Sequence, residues 1–159
     1  DYYAVEGSET IVHQLHKRFA HLKDKIYVGD FTDFIPDIYF DLIVDRASLT
    51  CNHEKSIIKC INKCYERLNF GGKYIGVDWF STDHSDYVKG SQAEDIWTRR
   101  DMIGSGFEGT GRAHFSDQNH ILDLFKEFEV KSLSHSLLDA KFPSSDVNVA
   151  TWNFVMEKA

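Results

Sequence analysis

The sequence predicts a single α/β domain built on a mostly parallel sheet with an antiparallel strand at its carboxyl-terminal end. Short apolar runs typical of strands alternate with segments of helical spacing, which favours parallel pairing through crossover helices. The last two strand-like runs have no helix between them, so they can pair antiparallel. The 159 residues are 42% hydrophobic and 14% aromatic, enough apolar surface for the core of one domain spanning residues 1–159.

The first half of the chain contains three strand-like runs. Residues 2–5 form the first, and Ser8 then offers a favourable N-cap for a helix whose apolar face includes Val12 and Leu15. The second and third runs, residues 25–28 and 40–44, are each followed closely by an aspartate. This order predicts a strand, a helix and two further strands.

The second half continues the alternation around one long insert. Apolar residues recur every three or four positions from 54 to 68, which predicts the clearest helix of the chain. The insert, residues 80–116, has weak periodicity, so we expect an irregular lid or acceptor-binding segment. The other predicted elements are a strand at 73–79, a helix at 117–128 and strands at 129–133 and 149–157.

Charge and composition exclude several classes of protein. The net charge is −7 and there is no block of basic residues, so nucleic acid is not an expected partner. No apolar run approaches the roughly 20 residues that span a bilayer, and no leader sequence is visible. The three cysteines fit neither a disulfide scaffold nor zinc knuckles. We therefore expect a cytoplasmic protein with no membrane segment and no metal site.

Acidic residues follow the predicted strands at the edge where open α/β sheets bind ligands. Glu6 could accept hydrogen bonds from the two hydroxyls of a ribose, or it could be a solvated carboxylate near a helix N-terminus. Asp30 could accept from an exocyclic amine while Phe31 stacks on the ring, or it could be a turn aspartate beside a core phenylalanine. Together these residues indicate an adenosine pocket.

The chain resembles the class I S-adenosylmethionine-dependent methyltransferases in four runs that occur in the family's order: A-V-E-G-S, Y-V-G-D-F-T-D-F, F-D-L-I-V-D-R-A-S-L-T-C-N and R-L-N-F-G-G-K-Y-I-G-V-D-W. The resemblance implies a Rossmann-like sheet, S-adenosylmethionine as cofactor and S-adenosylhomocysteine as product. It places the cofactor ribose at Glu6, with Gly7 and Ser8 in the same turn, and the adenine amine at Asp30 with Phe31. It places the methionine end beside the segment after the next strand, which includes Asp45, Arg46 and Ala47.

The sequence departs from this family at its beginning. The family's first strand and its E/D-x-G-x-G-x-G loop have no counterpart here. In the family's strand order, 3-2-1-4-5-7-6, that strand lies between the second and the fourth. We therefore expect a sheet that lacks its first strand, with open edges that could pair with a second copy as a homodimer.

Methyl transfer by in-line displacement needs alignment, exclusion of water and, for a protonated acceptor, a general base. His84 and His114 in the insert are the candidate bases, although a histidine in such a loop is more often solvated or structural. The sequence does not identify the acceptor, which we expect to be a small molecule. Two other functions stay open, a nicotinamide-dependent dehydrogenase and a non-catalytic binding module with a methyltransferase-like fold.

Overall fold

The computed structural model describes the backbone of residues 1–159 and every side chain except those of residues 144 and 145. The chain divides into two compact units, residues 1–38 and residues 39–159, which we call unit 1 and unit 2. Within the described residues, no helix is long and apolar enough to cross a membrane.

Unit 1 is a strand, a helix and a second strand. It contains β1 (Ala4–Glu6), α1 (Glu9–Arg18), a 3-10 helix (Ala20–Lys25) and β2 (Ile26–Val28). The two strands are parallel, with Ala4 opposite Ile26. Ser8 caps α1 by accepting a hydrogen bond from the amide of Ile11, and Val12 is the buried residue of the helix. These features confirm the predicted order of elements in this part of the chain.

Unit 2 is built on a four-stranded sheet of order β3-β4-β9-β8, in which β3 and β4 are parallel and β9 is antiparallel to both of its neighbours. The predicted antiparallel terminal strand is therefore confirmed. In chain order the elements of unit 2 are β3 (Phe40–Arg46), α2 (Glu54–Arg67), β4 (Leu68–Phe80), β5 (Ser91–Gln92), β6 (Thr98–Arg100), β7 (Ala113–His114), α3 (Gln118–Leu124), β8 (Glu129–Lys141) and β9 (Ser144–Glu157).

The core of unit 2 lies on one face of this sheet. From Ala150 onwards, every second residue of β9 is buried, namely Ala150, Trp152, Phe154 and Met156, as the alternation of the sequence predicts. Gly76 on β4 lies opposite Phe154, and a Cβ atom on Gly76 would lie 2.2 Å from Cζ of that ring. The glycine therefore gives the phenylalanine the room it occupies.

The insert is more ordered than the sequence predicts. It contains the antiparallel sheet β5-β6-β7, and Phe80, Tyr87 and Phe107 pack against buried Met102 and Phe115. The sequence does not show these strands because strands of two or three residues are too short to give a periodic signal. The role of the insert as a lid or acceptor-binding segment remains a prediction.

All four strands of the main sheet are longer than predicted. β3 extends to Arg46 instead of residue 44. β4 begins at Leu68 instead of residue 73, and its pairing with β3 shifts register between Phe40 and Leu42. β8 and β9 extend towards each other as a hairpin through residues 134–148. Polar residues in this hairpin interrupt the apolar pattern, so the sequence shows only the ends of the strands that join the core.

The strand order within each sheet agrees with the methyltransferase order. The pair β1-β2 corresponds to the family's second and third strands, and β3-β4-β9-β8 corresponds to 4-5-7-6. Among the described strands, β1 pairs with β2 alone and β3 with β4 alone. The absence of a first strand remains a prediction.

Candidate functional site

Glu6 ends β1, and one of its two carboxylate oxygens accepts a hydrogen bond within the protein. The amide of Ser8 donates to its Oε1 over 2.9 Å, and the amide of Gly29 donates to its backbone carbonyl over 3.1 Å. Gly7, between Glu6 and Ser8 in the sequence, is exposed. In the described part of the chain, Oε2 of Glu6 has no hydrogen-bond donor. The side chain is thus held in place with one oxygen available, which suits the recognition of ribose hydroxyls.

Asp30 follows β2 in a turn that its own oxygens organise. Its Oδ1 accepts from the amide of Thr32 over 2.8 Å and from the hydroxyl of the same residue over 2.7 Å. Its carbonyl accepts from the amides of Asp33 and Phe34. The Asp30 residue is exposed, so Oδ2 can accept from a ligand amine.

The ring beside Gly29 is that of Phe34. A Cβ atom on Gly29 would lie 3.2 Å from Cδ1 of Phe34, whose ring meets the Tyr27 ring edge-on at 5.5 Å between centroids. Sequence reasoning assigned the stacking role to Phe31, which is half-buried here. Phe34 was missed because turn geometry, which the sequence does not show, decides which aromatic residue returns to the glycine.

Asp45 has a buried carboxylate whose two oxygens both have partners. Oδ1 accepts from the amides of Ser48 and Leu49 over 2.9 and 3.3 Å, and Oδ2 accepts from Nε1 of Trp79 over 2.7 Å. Burial raises the pKa of Asp45 above its usual value. Asp45 therefore organises the segment that follows β3 and presents no free oxygen to a ligand.

Arg46 and Ala47 follow Asp45 at the end of β3. Arg46 forms an exposed ion pair with Asp78, with 3.0 Å between Nε and Oδ2. Ala47 and Asp78 have φ angles of 53° and 57°, the left-handed region that non-glycine residues seldom adopt. Because Arg46 lies opposite Val77, these two strained residues stand near the ends of adjacent parallel strands. Strain of this kind is concentrated at ligand sites.

His84 is a hydrogen-bond donor in its neutral form. Its Nδ1 accepts from the amide of Asp86 over 3.1 Å, so the ring proton is on Nε2. Burial lowers the pKa of His84, which keeps the ring neutral near neutral pH. The predicted role as a general base does not fit this geometry, because a neutral ring with Nδ1 occupied has no nitrogen left to accept a proton.

His114 is completely buried, and both of its ring nitrogens have partners. Nδ1 lies 3.0 Å from the hydroxyl oxygen of Thr98, and Nε2 lies 3.0 Å from Nε2 of His120. Trp97 stacks on the His120 ring at 4.2 Å between centroids. The base role considered for His114 does not fit either, because the ring has no access to an acceptor.

A groove of about 580 Å³ lies beside His84. The pairing register places Phe80, Thr151 and Ser136 in one cross-strand row. The next row on the same face is Val149 and Leu138. Sequence reasoning missed the β8 and β9 residues of this groove because it predicted both strands to be shorter. The lining residues are Asp78, Phe80, His84, Ser136, Leu137, Leu138, Val149 and Thr151.

Comparison with solved structures identifies the fold as that of the S-adenosylmethionine-dependent methyltransferases. The chain is similar to such an enzyme from Methanosarcina mazei, with a TM-score of 0.73, 15% identity and coverage of 98% of this chain and 82% of that one. It is also similar to TehB from Haemophilus influenzae, with a TM-score of 0.66 and 13% identity, over 100% of this chain and 50% of that one.

A third similar structure is the N-methyltransferase NodS from Bradyrhizobium japonicum, solved with S-adenosyl-L-homocysteine. The TM-score is 0.60 at 12% identity, over 97% of this chain and 64% of that one. No protein-family model matches the sequence, and a search of curated proteins gives no match. The likeness confirms the methyltransferase fold expected from the four sequence runs.

Proposed function

We propose that this protein transfers a methyl group from S-adenosylmethionine to a small-molecule acceptor. The observation that carries the proposal is the likeness in fold to S-adenosylmethionine-dependent methyltransferases over 98% of the chain. The position of Glu6 supports it, since this carboxylate ends β1 with one oxygen available.

The residues of unit 1 fit the adenosine part of this cofactor. Glu6 would accept hydrogen bonds from the ribose hydroxyls through Oε2, and Asp30 would accept from the exocyclic amine through Oδ2. Both side chains are already oriented by hydrogen bonds to their other oxygens, so little conformational freedom is lost on binding. When bound, the cofactor supplies an electrophilic methyl group on a sulfonium centre.

The chain's own contribution to the reaction is positional. Methyl transfer needs the acceptor atom aligned with the breaking carbon–sulfur bond and shielded from water, and it needs no covalent nucleophile. His84 would orient the acceptor by donating from Nε2. We assign no general base, so a proton released from a nitrogen or oxygen acceptor passes to water.

Calorimetric titration of this chain with S-adenosylhomocysteine tests the proposal, with NADH titrated in parallel. We expect saturable binding of S-adenosylhomocysteine and none of NADH. Binding of NADH alone would favour a dehydrogenase. A folded sample that binds neither ligand would contradict the proposal and favour a non-catalytic module.

Three variants locate the adenosine site. Glu6→Gln keeps the oxygen that accepts from Ser8 but removes the charge, and Asp30→Asn does the same for the bond to Thr32. We expect each substitution to weaken the binding of S-adenosylhomocysteine about tenfold or more, because hydrogen bonds to charged groups contribute about 1.5–3 kcal/mol. Glu9→Gln, an exposed change in the first turn of α1, is the matched control and should bind like the wild type.

A further inference from the structure

We propose that the groove beside His84 binds a neutral, largely apolar small molecule that offers a hydrogen-bond acceptor, such as a carbonyl oxygen or a ring nitrogen, to Nε2 of His84. The identification of this molecule as the methyl acceptor rests on the function proposed above. The proposal that it binds in the groove is independent of that function.

The wall of the groove is apolar and open. Leu138 is 63% exposed and Val149 is 37% exposed, although the two residues face each other across β8 and β9. Phe80 extends the same face from β4. A ligand that covers these three side chains removes their apolar surface from water, which is the main source of affinity in such sites.

The polar groups of the groove select a neutral ligand. Asp78 is already paired with Arg46 at 3.0 Å, so its carboxylate does not require a cation from the ligand. Ser136 and Thr151 contribute neutral hydroxyl groups. None of the charges in the lining is therefore left to be neutralised by a ligand, and burying a charged ligand there would cost desolvation without compensation.

His84 gives the groove a donor of fixed direction. Its ring is held by the amide of Asp86 at Nδ1 and by edge contacts with Phe107 and Phe115, at 5.3 and 6.1 Å between centroids. Among the hydrogen bonds of the described residues, none involves Nε2 of His84. A ligand atom that accepts from this nitrogen satisfies a donor that the protein itself leaves without a partner.

The size of the groove favours a small molecule over a protein segment. About 580 Å³ falls within the roughly 300–1,000 Å³ of typical small-molecule sites. The hydroxyl groups of Ser136 and Thr151 and the ring of His84 line the groove together with apolar side chains, and this combination orients a compact ligand.

A matched pair of probes tests the proposal directly. The ligands 2-acetylnaphthalene and 2-ethylnaphthalene share a ring system, but only the ketone has an oxygen that can accept from His84. We expect both to bind the wild-type chain in titrations followed by ligand-observed NMR. The ketone should bind about threefold to tenfold more tightly, as one added hydrogen bond contributes. Equal affinities, or no binding of either probe, would overturn the proposal.

Substitutions assign the effect to the groove. His84→Asn keeps an acceptor near the Nδ1 position for the amide of Asp86 and removes the Nε2 donor, so it should abolish the preference for the ketone. Leu138→Asp should weaken both probes, while Val130→Asp, an exposed change on the same strand, should weaken neither. A preference that survives His84→Asn, or binding that survives Leu138→Asp, would place the probes elsewhere and overturn the proposal.

These measurements use no cofactor, so they separate two kinds of failure. If the chain binds the ketone through His84 but does not bind S-adenosylhomocysteine, the proposal for the groove stands and the proposed methyl transfer is contradicted. If the chain binds S-adenosylhomocysteine but neither probe, the proposed methyl transfer stands and the proposal for the groove is contradicted.

Discussion

Nε2 of His114 lies 3.0 Å from Nε2 of His120 in the interior of unit 2. One ring must donate and the other accept, so the contact requires at least one neutral ring. The hydroxyl oxygen of Thr98 lies 3.0 Å from Nδ1 of His114, and Trp97 covers the face of His120. The histidine pair therefore joins β6 and β7 of the insert to α3 and is sensitive to protonation.

The histidine pair predicts a loss of stability in mild acid. Burial lowers the pKa of His114 to about 3 and that of His120 to about 4, against 6.5 for an ordinary histidine. In the unfolded chain both rings have the ordinary pKa, so below about pH 6.5 the unfolded state binds more protons than the folded state. The free energy of unfolding is therefore highest above pH 6.5 and decreases as the pH falls towards the lowered pKa values. We expect the free energy of unfolding, measured in urea, to fall by up to about 1.4 kcal/mol per pH unit for each ring.

Nearby carboxylates oppose this loss in part. Asp95 lies 3.9 Å from Nδ1 of His114 and favours the protonated form of that ring. Asp117, Asp95 and Asp123 favour the protonated form of His120. His120→Gln, which removes one titrating ring, should reduce the pH slope, and His13→Gln, an exposed change on α1, should not. An unchanged slope in His120→Gln would show that the pair is not the source.

Asp95 connects the insert to the first turn of α2. Its Oδ2 accepts from the amide of Glu54 over 2.8 Å, and its Oδ1 accepts from the amides of Trp97 and Thr98 over 2.9 and 2.7 Å. We expect Asp95→Ala to lower the free energy of unfolding by about 2–3 kcal/mol, because several donors lose a charged acceptor. Hydrogen exchange should accelerate at these three amides. Glu127→Ala, an exposed change, is the control, and equal exchange in the two variants would contradict the prediction.

Gly76 and Phe154 form a complementary pair across β4 and β9. Gly76→Ala places a methyl group 2.2 Å from the Phe154 ring, so we expect a loss of about 1–3 kcal/mol in the free energy of unfolding, as overpacked cores show. Adding Phe154→Leu to Gly76→Ala should cost less than the sum of the two single changes. Gly106→Ala is the control, since its nearest neighbour would lie at 3.6 Å. Strict additivity would refute the steric explanation.

Local signals explain what the sequence predicted about the fold. Ser8 as a cap, the apolar face of α2 and the alternation in β9 are all encoded by neighbouring residues. The sequence also predicted correctly that Gly29 and Asp30 follow a strand, because the apolar run that forms β2 ends directly before them. The strands β5, β6 and β7 were not predicted, because two or three residues carry no periodicity and their pairing is set by contacts with one another.

The candidate site shows the same division between local and distant information. A carboxylate at the end of a strand was interpreted as facing a ligand, and Glu6 keeps an oxygen available for one. Asp45 does not, because Trp79, far along the chain, donates to its second oxygen. The proton position on His84 likewise depends on the Asp86 amide, which the sequence places nearby without showing its direction.

The bond between Trp79 and Asp45 predicts how an amide at position 45 would behave. In Asp45→Asn the side-chain oxygen can still accept from the amides of Ser48 and Leu49. The side-chain NH₂ group then faces the indole N–H, and neither can accept a hydrogen bond. We therefore expect the free energy of unfolding to fall by about 1–3 kcal/mol. Because burial raises the pKa of Asp45, the wild type is stabilised by this group in acid and loses that stabilisation as the pH rises through the raised pKa. The stability difference between wild type and variant should therefore shrink with rising pH. Urea unfolding followed by tryptophan fluorescence measures it, Asp41→Asn on the same strand serves as control, and a difference that grows with pH would contradict the assignment.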